Sequence, residues 1–188
     1  MIRLSGVFVF ARHGAGSAPD QDRILKMKKI FVAPLVLLFS VSCLADLKQT
    51  APEHVCSFLS DLDLNGRKWT NYGDGTSGCA SNYKDIGGGS PMANNLAFYA
   101  AGSDLSVDQV KLVLNFNQTK SVGMSISALG KASEKLSLKA LGAKLPNSIK
   151  KAIALGQPLT ATVGTGTIEV VRDNWPTDKG YEVQVIMK

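Results

Sequence analysis

Histidine is almost missing from the 188 residues: His13 and His54 are the two present. Aromatic side chains make up 7%, and there are 3 cysteines. Each scarcity removes a class of function. Ser-His-Asp and Cys-His catalysis need an imidazole to take the nucleophile's proton, so either would depend on His54, beside Cys56. A zinc site using His54 with the cysteines would be about one or two ligands short. Sparse aromatics weaken any reading built on stacking platforms for bases or sugars. A single long apolar run excludes a multi-span membrane protein. The 18 glycines follow no period, which excludes collagen, and 45% hydrophobic residues are too many for a disordered chain. What remains is enough for one ordinary core.

The apolar run belongs to a leader. Lys28 and Lys29 form a positive start, Ile30 to Val41 an apolar stretch broken by Pro34, and Cys43 and Ala45 small residues before a cut after Ala45. That is the anatomy of a bacterial secretory signal peptide over 27–45, and the run is too short for a spanning helix. Residues 1–26 read as a mis-called upstream extension, with Met27 as the start. Phe39-Ser40-Val41-Ser42-Cys43 also resembles a lipobox, although Ser40 stands where Leu, Val or Ile is usual. The alternative is therefore a lipoprotein anchored through Cys43.

Removing the leader changes the charge. Residues 1–45 carry a net +4 of the chain's +6, so residues 46–188 carry only +2. Overall charge does not support a nucleic-acid partner. Cys56 and Cys79 remain as an even pair in an oxidising compartment, which points to a structural disulfide; a thiol nucleophile or a metal pair is the alternative.

Periodicity gives the elements. Thr50 to Glu53 has capping-box spacing, and Val55, Phe58, Leu59 and Leu62 repeat at helical intervals, predicting a helix over 51–62. Cys79–Asp85, Leu96–Ala101 and Gln109–Asn117 read as strands, the last with Val110, Leu112, Leu114 and Phe116 alternating against Lys111, Val113, Asn115 and Asn117. Val122 to Leu141 is a helix with Val122, Ile126, Leu129, Leu136 and Ala140 on one face. Asn147–Leu155 is a second helix, ended by Gly156. Leu159–Val163, Thr167–Asp173 and Gly180–Met187 are β-branched and alternating, with Gly164-Thr165-Gly166 a bend or bulge that could join the first two. The expected fold of 46–188 is a single α+β domain. It has one antiparallel sheet of about five strands, helices on one face and the order α-β-β-β-α-α-β-β. That order resembles the type III secretion chaperone fold without its C-terminal helix, a likeness of fold that transfers no function.

Candidate chemistry is thin. Asp61, Asp63, Asp74, Asp173 and Asp178 are loop carboxylates, and Asp61, Asp74 and Asp173 converging in a cleft would mark a small envelope hydrolase. Gly73-Asp74-Gly75 lacks the context of a phosphate loop, and Asp61 to Gly66 opens like a calcium loop but places Tyr72 where Glu is needed. No metal or cofactor is expected. Lys131, Lys135, Lys139, Lys144, Lys150 and Lys151 form a basic stretch suited to an anionic envelope component or a protein partner, or a solvated outer face. The spacing of Lys131, Lys135 and Lys139 places them away from the apolar stripe, so charge reversal there is expected to leave the fold intact. Trp69, Tyr72, Tyr83 and Trp175 are candidate contact aromatics, or covers for a small core. The sequence reads as a periplasmic or secreted, non-catalytic binding or accessory protein of the bacterial envelope, of inhibitor, immunity or assembly type.

Overall fold

The computed structural model describes residues 46–118, 121–177 and 179–188. The leader, Met27, Cys43 and the cut after Ala45 lie outside the described residues.

From Pro52 the chain makes one helical turn, α1 (Pro52–Val55), then a 3-10 turn at Ser60–Leu62. Five strands follow: β1 (Thr70–Asn71), β2 (Ser77–Ala80), β3 (Lys84–Ile86), β4 (Asn94–Ser103) and β5 (Ser106–Phe116). Helices α2 (Val122–Ala140) and α3 (Asn147–Leu155) separate these from β6 (Leu159–Val163), β7 (Gly166–Asn174) and β8 (Tyr181–Met187). All pairings are antiparallel and build one sheet in the order β1-β2-β4-β5-β8-β7-β6, with β3 also on β4. The class is α+β, as expected, but the sheet has eight strands rather than about five. Five strands before α2 and three after α3 depart from the order on which the resemblance to secretion chaperones rested.

Strand β1, two residues paired with β2, is not among the expected strands, and three further local differences have identifiable causes. The strand expected over Cys79–Asp85 is two pieces, β2 and β3, on the same edge of β4. Ser81 interrupts it: its amide donates to Phe98 O at 2.9 Å, and its hydroxyl accepts the Phe98 N–H at 3.0 Å. A side chain thus meets the ladder's obligation where the strand breaks. Gly164-Thr165 is a tight turn rather than a bulge, because Val163 pairs with Gly166. Gly164 has φ +59 and Thr165 is not left-handed, the pattern of a type II′ hairpin turn. The helix expected over 51–62 stops after Val55. Cys56 is tied to Cys79 by a disulfide, and the chain doubles back so that the Gly66 N–H donates to Cys56 O at 2.8 Å. The capping box does not form; Gln49 Oε1 accepts the Thr50 and Ala51 amides, each at 3.0 Å.

Alternation sets the core. On β5, Val110, Leu112, Leu114 and Phe116 point inward beside Phe98 and Leu96 of β4 and Val183, Val185 and Met187 of β8. Leu129, Ala132, Leu136 and Ala140 of α2 and Ile149, Ala152 and Ile153 of α3 cover them. Val122 and Ile126, expected on the same stripe, are only half-buried. Between them lies buried Ser125, which shares a polar knot with Asn94. Asn94, fully buried, accepts the amides of Asn117 and Gln118 on Oδ1, both at 2.7 Å. Its Nδ2 donates to Gln118 O and Ser125 Oγ, both at 3.0 Å. This one side chain fixes where β5 ends and where α2 begins.

Candidate binding cavity

The next residue along, Asn95, faces the other side of the sheet. It pairs with Asn115, and Asn115 with Glu182, so their side chains share the face opposite the helices. Asp85 of β3 stands opposite Asn95 in the same row. At this end of the sheet lies a cavity of about 720 Å³, lined by Tyr83, Asp85, the loop Gly87–Ala93, Asn95, Asn115, Asn117 and Trp175. Its volume is within the usual range for small-molecule sites.

The lining is held in place by the protein's own bonds. Asn115 Nδ2 donates to Asn95 Oδ1 at 2.9 Å, and Asn117 Nδ2 donates to Ala93 O at 2.8 Å. Gln118 Nε2 donates to Ser90 O at 3.2 Å and to Met92 O at 2.9 Å, pinning the glycine-rich loop, which contains the cis peptide Ser90-Pro91. Trp175 folds down onto Gly180, where a Cβ would lie 2.7 Å from indole Cε3; only glycine allows that approach. On the opposite side, the Tyr99 hydroxyl meets that of Tyr83 at 3.3 Å. Burial pushes the Tyr99 hydroxyl up to about 12, aided by Tyr83 and by the charge of Glu182, so Tyr99 stays neutral at physiological pH.

This cavity joins two of the four expected contact aromatics and separates the others. Tyr83 and Trp175 line it. Trp69 instead donates its indole N–H to Asp104 O at 2.7 Å, securing the turn between β4 and β5, beside a separate hollow with Cys56, Arg67 and Leu105. Tyr72 lies against Gly78 in the β1–β2 hairpin. Cys56 and Cys79 form the disulfide, and His54 is exposed on α1.

The basic stretch is partly spent inside the molecule. Lys135 pairs with Asp61, and Lys139 donates to Phe58 O at 2.7 Å with its ammonium over the Phe58 ring. Lys150 pairs with Glu134 at 2.5 Å. Lys131, Lys144 and Lys151 are exposed, with no ion pair among the described residues. Helical spacing placed Lys135 and Lys139 on an outer face, but the segment after α1 packs over that face and uses them. Charge reversal there is therefore not neutral. Lys135→Glu with Lys139→Glu is expected to cost about 1–2 kcal/mol, read from the urea midpoint. Lys131→Glu, Lys144→Glu and Lys151→Glu together should stay within about 0.5 kcal/mol of the native protein.

The three carboxylates weighed as a hydrolytic set do not come together. Asp61 is on the α2 side with Lys135, whereas Asp173 of β7 faces Glu182 across the strand pair. Asp74 is in the β1–β2 turn, at least four strand steps from β7, which at about 4.8 Å a step is roughly 19 Å. The hydroxyl and then the amide of Thr76 hold the Asp74 carboxyl below its ordinary range. Among the described residues no three His, Cys, Asp or Glu side chains cluster as metal ligands. No helix among them is long and apolar enough to cross a membrane.

Sequence reasoning missed Asp85, Asn95, Asn115 and Asn117 as site residues. A signal was present: Asn115 and Asn117 alternate with Leu114 and Phe116, and so belong to the face that the core does not use. Comparison of the chain with protein-family models, with curated proteins and with solved structures finds no match to any of them.

Proposed function

We propose that this chain is a non-catalytic binding protein of the bacterial envelope, exported through the leader at 27–45, and that the cavity between Tyr83 and Trp175 is its contact surface. The observation that carries this reading is convergence. Residues from three separate stretches, 83–95, 115–117 and Trp175, meet in one cavity, and their side chains are held by hydrogen bonds that a core does not require. The Cys56–Cys79 bridge fits an oxidising compartment. Export with cleavage gives a periplasmic or secreted product beginning at Asp46; lipid on Cys43 would give an anchored one.

Affinity capture from envelope extract tests this with the full chain, an Asp85→Ala/Asn115→Ala variant and a Lys131→Glu/Lys144→Glu/Lys151→Glu variant. The expected result is a component retained by the native and lysine variants and lost from the cavity variant. Loss only from the lysine variant would move the contact surface to the basic stretch. Equal capture by all three would overturn the cavity as the site.

A further inference from the structure

The cavity's hydrogen-bonding groups are only partly used within the protein, and this narrows what it accepts. Each of its three amides has committed an N–H within the protein: Asn95 to Ala93 O, Asn115 to Asn95 Oδ1 and Asn117 to Ala93 O. Asn115 Oδ1, Asn117 Oδ1 and the exposed carboxylate of Asp85 accept no protein hydrogen bond among the described residues. Each amide keeps its second N–H, so the outward groups are acceptors and donors side by side, a mixed set that suits a ligand whose own groups both donate and accept, as hydroxyls do.

Charge points the same way. Among the described residues no Lys or Arg lines the cavity, while Asp85 does, so phosphates, sulfates and uronic acids would face that carboxylate. The aromatic rings add a third constraint. Tyr83 stands on the β3 side, 62% exposed, and half-buried Trp175 on the β8 side, so an incoming molecule meets aromatic surface on both flanks and polar side chains between them. Hydroxyls at the edge and apolar C–H faces above and below describe a pyranose ring, whose faces lie on aromatic planes while its edges hydrogen-bond.

We infer that the cavity takes a neutral saccharide. Hydroxyls donate to Asp85, Asn115 and Asn117, and ring faces rest on Tyr83 and Trp175. This inference rests on the cavity being the contact surface and adds the class of ligand.

The test uses tryptophan fluorescence of the full-chain protein carrying Trp69→Phe, which leaves Trp175 as the one tryptophan. Probes are cellotetraose, maltotetraose and chitotetraose, with tetragalacturonate as the anionic counterpart, each to about 10 mM. At least one neutral tetrasaccharide should give a saturable change in Trp175 emission. Asp85→Ala and Asn115→Ala should each weaken that binding by about tenfold or more, with the circular dichroism spectrum unchanged. Tetragalacturonate should bind at least tenfold more weakly than the best neutral probe. Saturation-transfer NMR on the protein with both tryptophans repeats the measurement without the Trp69 substitution. No saturable binding of any neutral probe by either method overturns the saccharide assignment, as does binding that ignores Asp85→Ala and Asn115→Ala. Should that happen while the cavity variant still loses its captured component, the ligand class alone is wrong. If capture is also indifferent to the variant, the cavity reading fails with it.

Discussion

Asn94→Leu is expected to destabilise the protein by about 2–4 kcal/mol, because the amides of half-buried Asn117 and Gln118 lose their common acceptor. Leucine matches the volume, so the loss is not a cavity effect. Each N–H left without that acceptor costs about 1–3 kcal/mol where it stays out of water, and the Nδ2 bonds to Gln118 O and Ser125 Oγ are lost with it. The damage should also reach the binding cavity. Gln118 and Asn117 hold the Gly87–Ala93 loop, so the loop loosens when their backbone does. Asn95→Ala is the control one residue away. It removes two side-chain bonds on the opposite face, to Ala93 O and from Asn115, and should cost about 1 kcal/mol. Urea unfolding of the two variants measures the difference, and near-equal midpoints would show that Asn94 does not organise the end of β5.

The second large effect is removal of the disulfide. Cys56 and Cys79 are separated by 23 positions, and closing a loop of that size stabilises by about 3 kcal/mol in the chain-entropy model. For a protein of this size the Cys56→Ser/Cys79→Ser variant should melt about 10 °C lower. The bridge ties the α1 turn to β2, near the sheet edge, while Leu59 and Leu64 beyond it are fully buried. The loss should therefore be felt in the N-terminal segment before the sheet centre. Hydrogen exchange of the double variant should quicken at Val55 to Leu64 while Leu112 and Val185 stay protected. An unchanged melting temperature would mean that the bridge does not constrain the unfolded chain.

The elements legible in the sequence are those whose signals are local. Asn147–Leu155 was bounded correctly because Pro146 and Gly156 enclose a helical repeat, and Gly156 indeed takes φ +58. Strand β5 declared itself by alternation over Val110 to Phe116. Strands β1 and β3 have two and three residues, too few for a period, and exist only because β2 and β4 offer ladders to pair with. The helix expected to run to Leu62 had the right spacing, but the pull of Cys56 toward Cys79 overrode it. Lys135 and Lys139 were misjudged for a similar reason: helical spacing locates a face, and tertiary packing decides whether that face stays open. The cavity was the least legible part. Tyr83, Asp85, Asn115 and Trp175 are scattered through the sequence and meet only after β3, β4, β5 and β8 are in register.

Strand β8 sits between β5 and β7, so the β1–β5 portion of the sheet joins the β6–β7 hairpin through it alone. Its pairing with β5, from Phe116 opposite Tyr181 to Val110 opposite Met187, spans both helices in sequence. In the language of rates, the ordering entropy of that whole excursion falls due before any contact across the junction repays it. A chain emerging from a translocation channel in sequence order holds β5 as an open edge until residue 187 has passed. For a chain exported as we propose, the sheet's centre therefore stays incomplete until its last strand has arrived, and full stability comes only with the end of the chain.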